Sequence, residues 1–107
     1  MNILIRTDEF AAWLNGVRDA KAKARIISRL DLAALGNLGD CGPVGEGVSE
    51  MRIDFGPGYR VYFFRRELRV YVVLGGGEKS TQKRDIKRAI RMAQNLKKET
   101  KHGKGKK

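Results

Sequence analysis

Residues 50–82, EMRIDFGPGYRVYFFRRELRVYVVLGGGEKSTQ, decide the fold of this chain. The segment alternates apolar and polar residues between two tight turns, G-P-G and the Arg66-Glu67 pair, a pattern typical of short strands. We expect three strands, at about residues 48–55, 59–65 and 68–74. Turns of this length join antiparallel neighbours, and the three glycines at 75–77 are expected to close the sheet.

The N-terminal part predicts one strand and two helices. Residues 2–6 read as a strand, and Thr7 can cap a helix that runs to about Val17. Helical spacing gives this first helix an apolar face of Phe10, Trp13, Leu14 and Val17. A second helix ends near Gly36 and has its own apolar face of Ala22, Ile26, Leu30, Ala33 and Ala34.

The remaining segments complete an α+β fold. Residues 36–47 hold five glycines and a proline, a composition that predicts a mobile loop. Ser80 or Thr81 can cap a last helix that buries Ile86, Ala89, Ile90, Ala93 and Leu96. The predicted order is β-α-α-β-β-β-α, with an antiparallel sheet packed by helices.

Size and charge point to a small protein that binds an anionic partner. The chain has 107 residues, enough for one hydrophobic core. Its 23 Lys and Arg residues against 12 acidic residues give a net charge of +11. Residues 97–107 carry +5 of this charge without an apolar side chain, so we expect a domain at 1–96 and a disordered polybasic tail at 97–107. Nucleic acid is the first candidate partner.

Several classes of site and location are disfavoured. Cys41 is the only cysteine, so neither an internal disulfide nor a cysteine-based metal cluster is expected. The glycine-rich segment G-G-G-E-K-S does not have the spacing of a nucleotide-binding phosphate loop, and we expect no metal or other cofactor. The chain has no apolar run long enough for a signal peptide or a membrane span, which predicts a cytoplasmic protein without a membrane partner.

Strand alternation places possible phosphate-binding residues on one sheet face. Residues two apart share a face, so Arg52 and Arg60 should lie on the face opposite Ile53 and Val61, with Tyr62 beside them. If helices cover only the other face, this face is open. Arginine binds phosphate oxygens and an aromatic ring stacks on unpaired bases, so the pattern favours RNA binding.

Further basic residues extend this interpretation. The second helix carries a basic stripe that contacts phosphates or is simply a solvated face, formed by Arg18, Lys21, Arg25 and Arg29. Lys79 follows the glycines, and Arg84 lies one turn into the last helix. Both can add positive charge at the end of the sheet.

Two motifs carry a resemblance to a known family. The pieces E-x-R-I-x-F-G-P-G-Y-R-V-Y-F and G-G-x-K-S-T-Q resemble the HigB-like, phage-derived branch of the RelE/ParE toxins, over about residues 1–96. The resemblance implies a RelE-like fold and the toxin of a type II toxin–antitoxin pair. It also implies ribosome-dependent mRNA cleavage, with Arg60 as the phosphate-binding arginine and Arg52 and Lys79 as further catalytic cations.

The resemblance also implies partners and exposes one departure. The expected partners are the ribosome, mRNA and an acidic antitoxin with a helix-turn-helix domain. RelE-type enzymes generally have a tyrosine or histidine near the C-terminus for acid–base catalysis, whereas this chain has no aromatic residue after Tyr71 and only His102 in the tail. Lys79, Asp54 and Glu78 are the candidates for this acid–base role. Gln82 is a candidate to orient a phosphate or a base by hydrogen bonding.

Two alternative functions stay open. A ParE-like poison of DNA gyrase shares the fold without a nuclease site, and the missing C-terminal aromatic is compatible with it. A non-enzymatic nucleic-acid-binding protein requires only the charge.

Overall fold

The structure, a computed structural model, describes the backbone of residues 1–105 and the side chains of residues 1–99. Its elements in chain order are β1 (Ile3–Arg6), α1 (Asp8–Gly16), α2 (Ala20–Ala34), β2 (Cys41–Gly45), β3 (Val48–Ile53), β4 (Tyr59–Glu67), β5 (Val70–Glu78), a 3-10 turn (Lys79–Thr81) and α3 (Gln82–Gly105). The α+β class is confirmed. The order differs from the prediction by one additional strand, β2.

The five strands form one mixed sheet in the order β1-β5-β4-β3-β2. The two hairpins expected within residues 48–74 are present, since β3, β4 and β5 pair antiparallel. The second turn lies at Leu68 and Arg69 and not at Arg66-Glu67 as predicted, because β4 continues to Glu67. The prediction of an antiparallel sheet was wrong for β1, which pairs parallel to β5 with Ile3 opposite Val70. β1 and β5 lie far apart in sequence, so the direction of their pairing leaves no local sequence signal.

β2 lies within the segment that was expected to be a loop. It pairs antiparallel with β3, and Glu46 and Gly47 connect the two strands with φ of 54° and 81°. Two successive positive φ values are the requirement of a tight hairpin turn whose twist matches that of the strands. The glycines here therefore build a hairpin in addition to a loop, which covers only residues 35–40.

Side-chain caps begin the first two helices, and the cap of the first is the one that the sequence predicted. The Thr7 side chain accepts a hydrogen bond from the Phe10 amide at 3.1 Å and begins α1. Asp19 caps α2 by accepting from the Lys21 amide at 2.9 Å. Arg18 therefore precedes α2 and lies in the short connection, not on the basic face of that helix as expected.

Helices cover both faces of the sheet. On one face, the predicted apolar residues of α1 and α2 pack with residues of β3, β4 and β5, and Phe10, Ala22, Ile26 and Val61 are fully buried. On the other face, Ala89 and Ala93 of α3 pack against Val48, Tyr62, Phe64, Val72 and Leu74. The prediction of an open sheet face was wrong, because apolar side chains of β4 and β5 occupy both faces and each needs a cover.

α3 continues past the predicted boundary at Leu96. Lys97 is part of the helix, and its ammonium lies 5.0 Å from the centre of the Phe64 ring. The contact explains why the helix does not end at the last apolar residue. The backbone of α3 is helical as far as Gly105. The side chains after residue 99, including the predicted tail residue His102, lie outside the described residues. The division into 1–96 and 97–107 stays a prediction.

Candidate functional site

Glu50 organises the polar centre of the sheet. Its side chain is 6% exposed, and Arg52 Nη1 donates to Glu50 Oε2 at 3.0 Å. Gln82 Nε2, from the first turn of α3, donates to Glu50 Oε1 at 2.8 Å, and Arg60 Nε lies 3.7 Å from the same oxygen. We call these four residues the Glu50 cluster. A buried carboxylate needs such partners, because burying it unpaired is strongly unfavourable.

Arg60 is held within this cluster with spare hydrogen-bonding capacity. Its side chain is 12% exposed, and Nη1 donates to its neighbour's carbonyl, Tyr59 O, at 3.2 Å. Arg60 Nε is buried and finds no hydrogen-bond acceptor within the described part of the chain. The Glu50 carboxylate therefore balances the guanidinium charge without using all of its donors.

Lys79 lies next to Arg60 at the end of the sheet. The Lys79 amide donates to Gly58 O at 2.9 Å, which joins the 3-10 turn to the turn between β3 and β4. A methyl group on Gly58 would lie 3.4 Å from Lys79 Cβ and 3.8 Å from Arg60 Nη1. The structure thus brings together these two residues, and Lys79 is exposed to solvent.

Arg52 is engaged by carboxylates on two sides. In addition to its Glu50 contact, its Nη2 lies 3.1 Å from Asp40 Oδ1, and its Nε donates to the same oxygen at 3.2 Å. The hydrogen bond to Asp40, followed in size by the one to Glu50, raises the pKa of Arg52 above its ordinary value. Arg52 reaches the candidate site as expected, but as an arginine already paired by acids that sequence reasoning did not assign to it.

Tyr62 does not lie on an open surface, contrary to the prediction. It is 1% exposed beneath α3, and its hydroxyl is buried without a hydrogen-bond partner within the described residues. Burial raises the pKa of Tyr62 well above its usual range, and the carboxylates of Glu50 and Asp85 add to this effect. Stacking on a nucleic-acid base is therefore excluded for this ring in the folded protein.

The glycine run 75–77 belongs to β5 and serves packing. A methyl group on Gly76 would overlap the ring of Trp13, and one on Gly77 would overlap the carboxylate of Asp85. The same methyl on Gly75 would meet nothing within 4 Å. The expectation that these glycines end the sheet was wrong, because two of them are needed where α1 and α3 approach the strand.

The start of α3 is fixed by Asp85, which is 5% exposed. Thr81 Oγ1 donates to Asp85 Oδ2 at 2.5 Å and also lies 3.3 Å from Glu78 O, so its hydroxyl bonds within the turn. Arg84, expected to bind RNA, is 68% exposed, and its Nε lies 3.6 Å from Asp85 Oδ1. Together these contacts hold Gln82 where it meets Glu50.

The basic residues of α2 have different surroundings. Arg29 donates to the backbone carbonyls of Arg52, Leu38 and Asp40, so it joins α2 to the segment that precedes β2. Lys21 and Arg25 are exposed, and the Arg25 guanidinium lies 4.7 Å from the centre of the Phe55 ring. The expected stripe thus divides into a structural arginine and two exposed cations.

Sequence reasoning missed Glu50, Asp40 and Phe55 as site residues. For Glu50 a signal was present, because the E-x-R spacing places it on the same strand face as Arg52. Asp40 lies in the glycine-rich segment, and nothing local indicates its contact. Phe55 was assigned to a strand face, whereas β3 ends at Ile53 and the ring lies in the turn next to α2.

The side chains of residues 1–99 contain no group of three or more His, Cys, Asp or Glu residues placed to hold a metal ion. Among the described helices, none combines the length and the apolar character that crossing a membrane requires.

Comparisons with known proteins identify the family. Residues 12–98 match the family model described as "Phage derived protein Gp49-like". A relative from Haemophilus influenzae, itself described as an uncharacterized protein, is 43% identical over 97 residues, which cover 90% of this chain and 98% of the relative. The matched region includes every residue of the Glu50 cluster. The chain therefore belongs to the Gp49-like family of phage-derived proteins.

Proposed function

We propose that this protein is the toxin of a type II toxin–antitoxin pair and that it cleaves mRNA on the ribosome. The chain belongs to a toxin-like family. The observation that carries the proposal is that Arg60 and Lys79 both lie close to Gly58, with Arg60 held by the buried Glu50. Two cations at one end of a sheet are suited to a single phosphate group.

The chemistry that we propose uses the substrate's own 2′-hydroxyl as the nucleophile. The 2′-hydroxyl gives its proton to water as its oxygen forms a bond to phosphorus, the bond to the 5′-oxygen breaks, and that leaving oxygen takes a proton from water. Negative charge builds on the phosphoryl oxygens during this step. The Arg60 guanidinium, fixed between the Glu50 carboxylate and Tyr59 O, stabilises that charge, and fixed donors of this kind are often the largest contribution to catalysis.

Lys79 and Glu50 take different parts in this proposal. Lys79 is exposed beside Arg60 and contacts the substrate phosphate as a cation. Glu50 and Arg52 are positioning residues, because Glu50 accepts from Arg52 and Gln82 and lies against Arg60. A second anchor, Asp40, pairs with Arg52 and fixes the position of its guanidinium.

An antitoxin is the partner that the proposal requires. A protein that stops growth of its host must be held inactive, and a net charge of +11 favours an acidic segment as its inhibitor. We assign this role to a helix-turn-helix antitoxin encoded beside the toxin. Co-expression with the neighbouring gene is expected to restore growth.

The test is to map mRNA ends after brief expression of the protein without its partner. New 5′ ends are expected inside translated reading frames, together with growth arrest, and they should disappear when initiation is blocked before induction. Intact mRNA with DNA breaks at gyrase sites would replace the proposal with the ParE-like alternative. Intact mRNA and DNA with normal growth would leave only nucleic-acid binding.

A further inference from the structure

A groove between α2 and the turn after β3 is separate from the Glu50 cluster. It is a shallow open depression of about 430 Å³, lined by Lys21, Ala24, Arg25, Ser28 and Phe55. Sites for small ligands commonly enclose about 300–1,000 Å³. The groove is therefore large enough for one nucleotide, and we call it the α2 groove.

Arg25 forms the distinctive feature of this groove. Its guanidinium lies over the Phe55 ring, 4.7 Å from the ring centre, and the residue as a whole is exposed. The aromatic ring supports one face of the guanidinium plane and limits its freedom. An exposed guanidinium held this way presents a flat surface on which an unpaired base can stack.

Helical spacing places the other polar residues beside this surface. Lys21 and Ser28 lie one turn before and one turn after Arg25 on the same side of α2, and Ala24 leaves room between them. Lys21 can bind the phosphate of a stacked nucleotide, and Ser28 offers a hydroxyl. No carboxylate is among the described residues that line the groove, so an anionic ligand meets no like charge there.

We propose that the α2 groove binds one unpaired nucleotide of single-stranded RNA, with the base stacked on Arg25 and the phosphate on Lys21. This inference rests on the proposed function for its RNA partner and adds a second contact outside the Glu50 cluster. A duplex hides the faces of its bases, so it would use only the charges. An acidic peptide would use the edges of the guanidinium and gain nothing from the plane.

The first test measures binding without ribosomes and without cleavage. The probe is a fluorescent 2′-O-methyl oligoadenylate eight nucleotides long, compared with an abasic strand of the same length. Arg25→Lys keeps the positive charge but removes the planar guanidinium group. Phe55→Leu keeps an apolar side chain but removes the aromatic ring that supports Arg25. Base stacking contributes about 1–3 kcal/mol, so each variant is expected to weaken binding of the oligoadenylate about 5- to 150-fold. Arg91→Lys, an exposed arginine of α3, is the matched control.

The proposal requires that the abasic strand bind the wild type and both variants equally. Equal losses on the abasic strand, or full affinity in Arg25→Lys, would show a phosphate contact only and overturn it. Binding of a polyglutamate peptide that is weakened by the same two variants would also overturn it and assign the groove to a protein partner. Thermal unfolding of each variant checks that the fold is retained, and two chemically different variants guard against a single misfolded one.

A second test identifies the RNA on the ribosome. A photo-crosslinking benzoylphenylalanine at Ser28 should attach to an unpaired nucleotide, either of the message or of ribosomal RNA, and sequencing the product distinguishes these sources. Attachment only to paired nucleotides or to ribosomal proteins would contradict the proposal. If oligoadenylate binding behaves as expected while mRNA stays intact in cells, the groove is retained and the nuclease function fails. If mRNA is cleaved in cells while oligoadenylate binding does not depend on Arg25 and Phe55, the groove proposal fails and the nuclease function is retained.

Discussion

The Glu50 cluster and the α2 groove contain the same kinds of cationic side chain in opposite surroundings. In the cluster, Arg52 and Arg60 lie against the buried Glu50, and Arg52 also pairs with Asp40. In the groove, Arg25 is exposed and rests on an aromatic ring. The comparison shows that counting arginines does not give the positive charge that a region offers to a ligand. Carboxylates compensate the arginines of the Glu50 cluster, whereas none lines the α2 groove among the described residues.

This difference assigns different tasks to the two regions. A fixed, compensated arginine has a defined geometry and is suited to stabilising charge that develops during a reaction. Exposed cations raise affinity for RNA through phosphate contacts and are sensitive to salt. Changes in the cluster should therefore alter rate and stability, whereas changes in the groove should alter affinity.

The largest effect is expected from Arg60→Ala. Loss of a donor that stabilises the transition state typically costs about 2.7–4 kcal/mol, which corresponds to a 100- to 1,000-fold lower rate. The fold should persist, because Glu50 keeps its hydrogen bonds to Arg52 and Gln82. Growth arrest on expression and circular dichroism of the purified variant measure both effects, with Arg91→Ala as control. A folded, fully toxic Arg60→Ala protein would remove Arg60 from the site.

A smaller loss, now of stability, is expected from Glu50→Gln. The neutral amide keeps the shape but presents donors to guanidinium groups, so buried donors lose their acceptor at a cost of about 1–3 kcal/mol. Denaturant unfolding measures this free energy. Asp40→Asn is the matched control, since Asp40 Oδ1 makes a similar arginine contact but its side chain is 66% exposed. Equal stability of Glu50→Gln and the wild type would show that the cluster does not hold the sheet and α3 together.

The glycine run offers a comparison within three residues of β5. Gly76→Ala would push a methyl group into the Trp13 ring, and overpacking of this kind costs about 1–3 kcal/mol. Gly75→Ala meets nothing within 4 Å and should be almost neutral. Thermal unfolding of the two variants gives the difference directly. Equal melting temperatures would contradict the packing role of Gly76.

The smallest effect is expected from Tyr62→Phe. The substitution removes a buried hydroxyl without a partner among the described residues, so stability at neutral pH should stay equal or rise by about 1 kcal/mol. Because the pKa of Tyr62 is raised in the folded state, its contribution is present below the unfolded pKa of about 10 and is lost as pH rises above it. Stability should therefore fall less steeply above pH 10 in the variant. The raised pKa of Tyr59 leaves part of the slope in place.

Local sequence patterns predicted the helices and hairpins well and the contacts between them poorly. The apolar faces of α1, α2 and α3 and the hairpins of β3, β4 and β5 follow from periodicity and turn residues. β2 was missed, because its glycines and proline resemble a loop and its pairing depends on β3. The parallel pairing of β1 was missed for a similar reason, since Ile3 and its partner Val70 lie 67 residues apart.

The candidate site was predicted in part. The alternation of side chains along each strand placed Arg52 and Arg60 on one face of the sheet. The structure also brings Arg60 and Lys79 together at Gly58. The same alternation placed Tyr62 on that face, which was expected to be open but is covered by α3 at this position. Alternation gives the side of a sheet to which a residue points, but only tertiary packing decides whether a helix covers that side.

The central claim is that the Glu50 cluster performs the reaction and the α2 groove only binds. The direct test is single-turnover cleavage of a defined message on purified ribosomes, measured over a range of protein concentrations for the wild type, Arg60→Ala and Arg25→Lys. The account predicts that Arg60→Ala lowers the saturated rate at least 100-fold, as expected for a lost transition-state donor. Arg25→Lys should reach the wild-type rate at a higher protein concentration. A wild-type saturated rate in Arg60→Ala, or a lowered one in Arg25→Lys, would contradict the account.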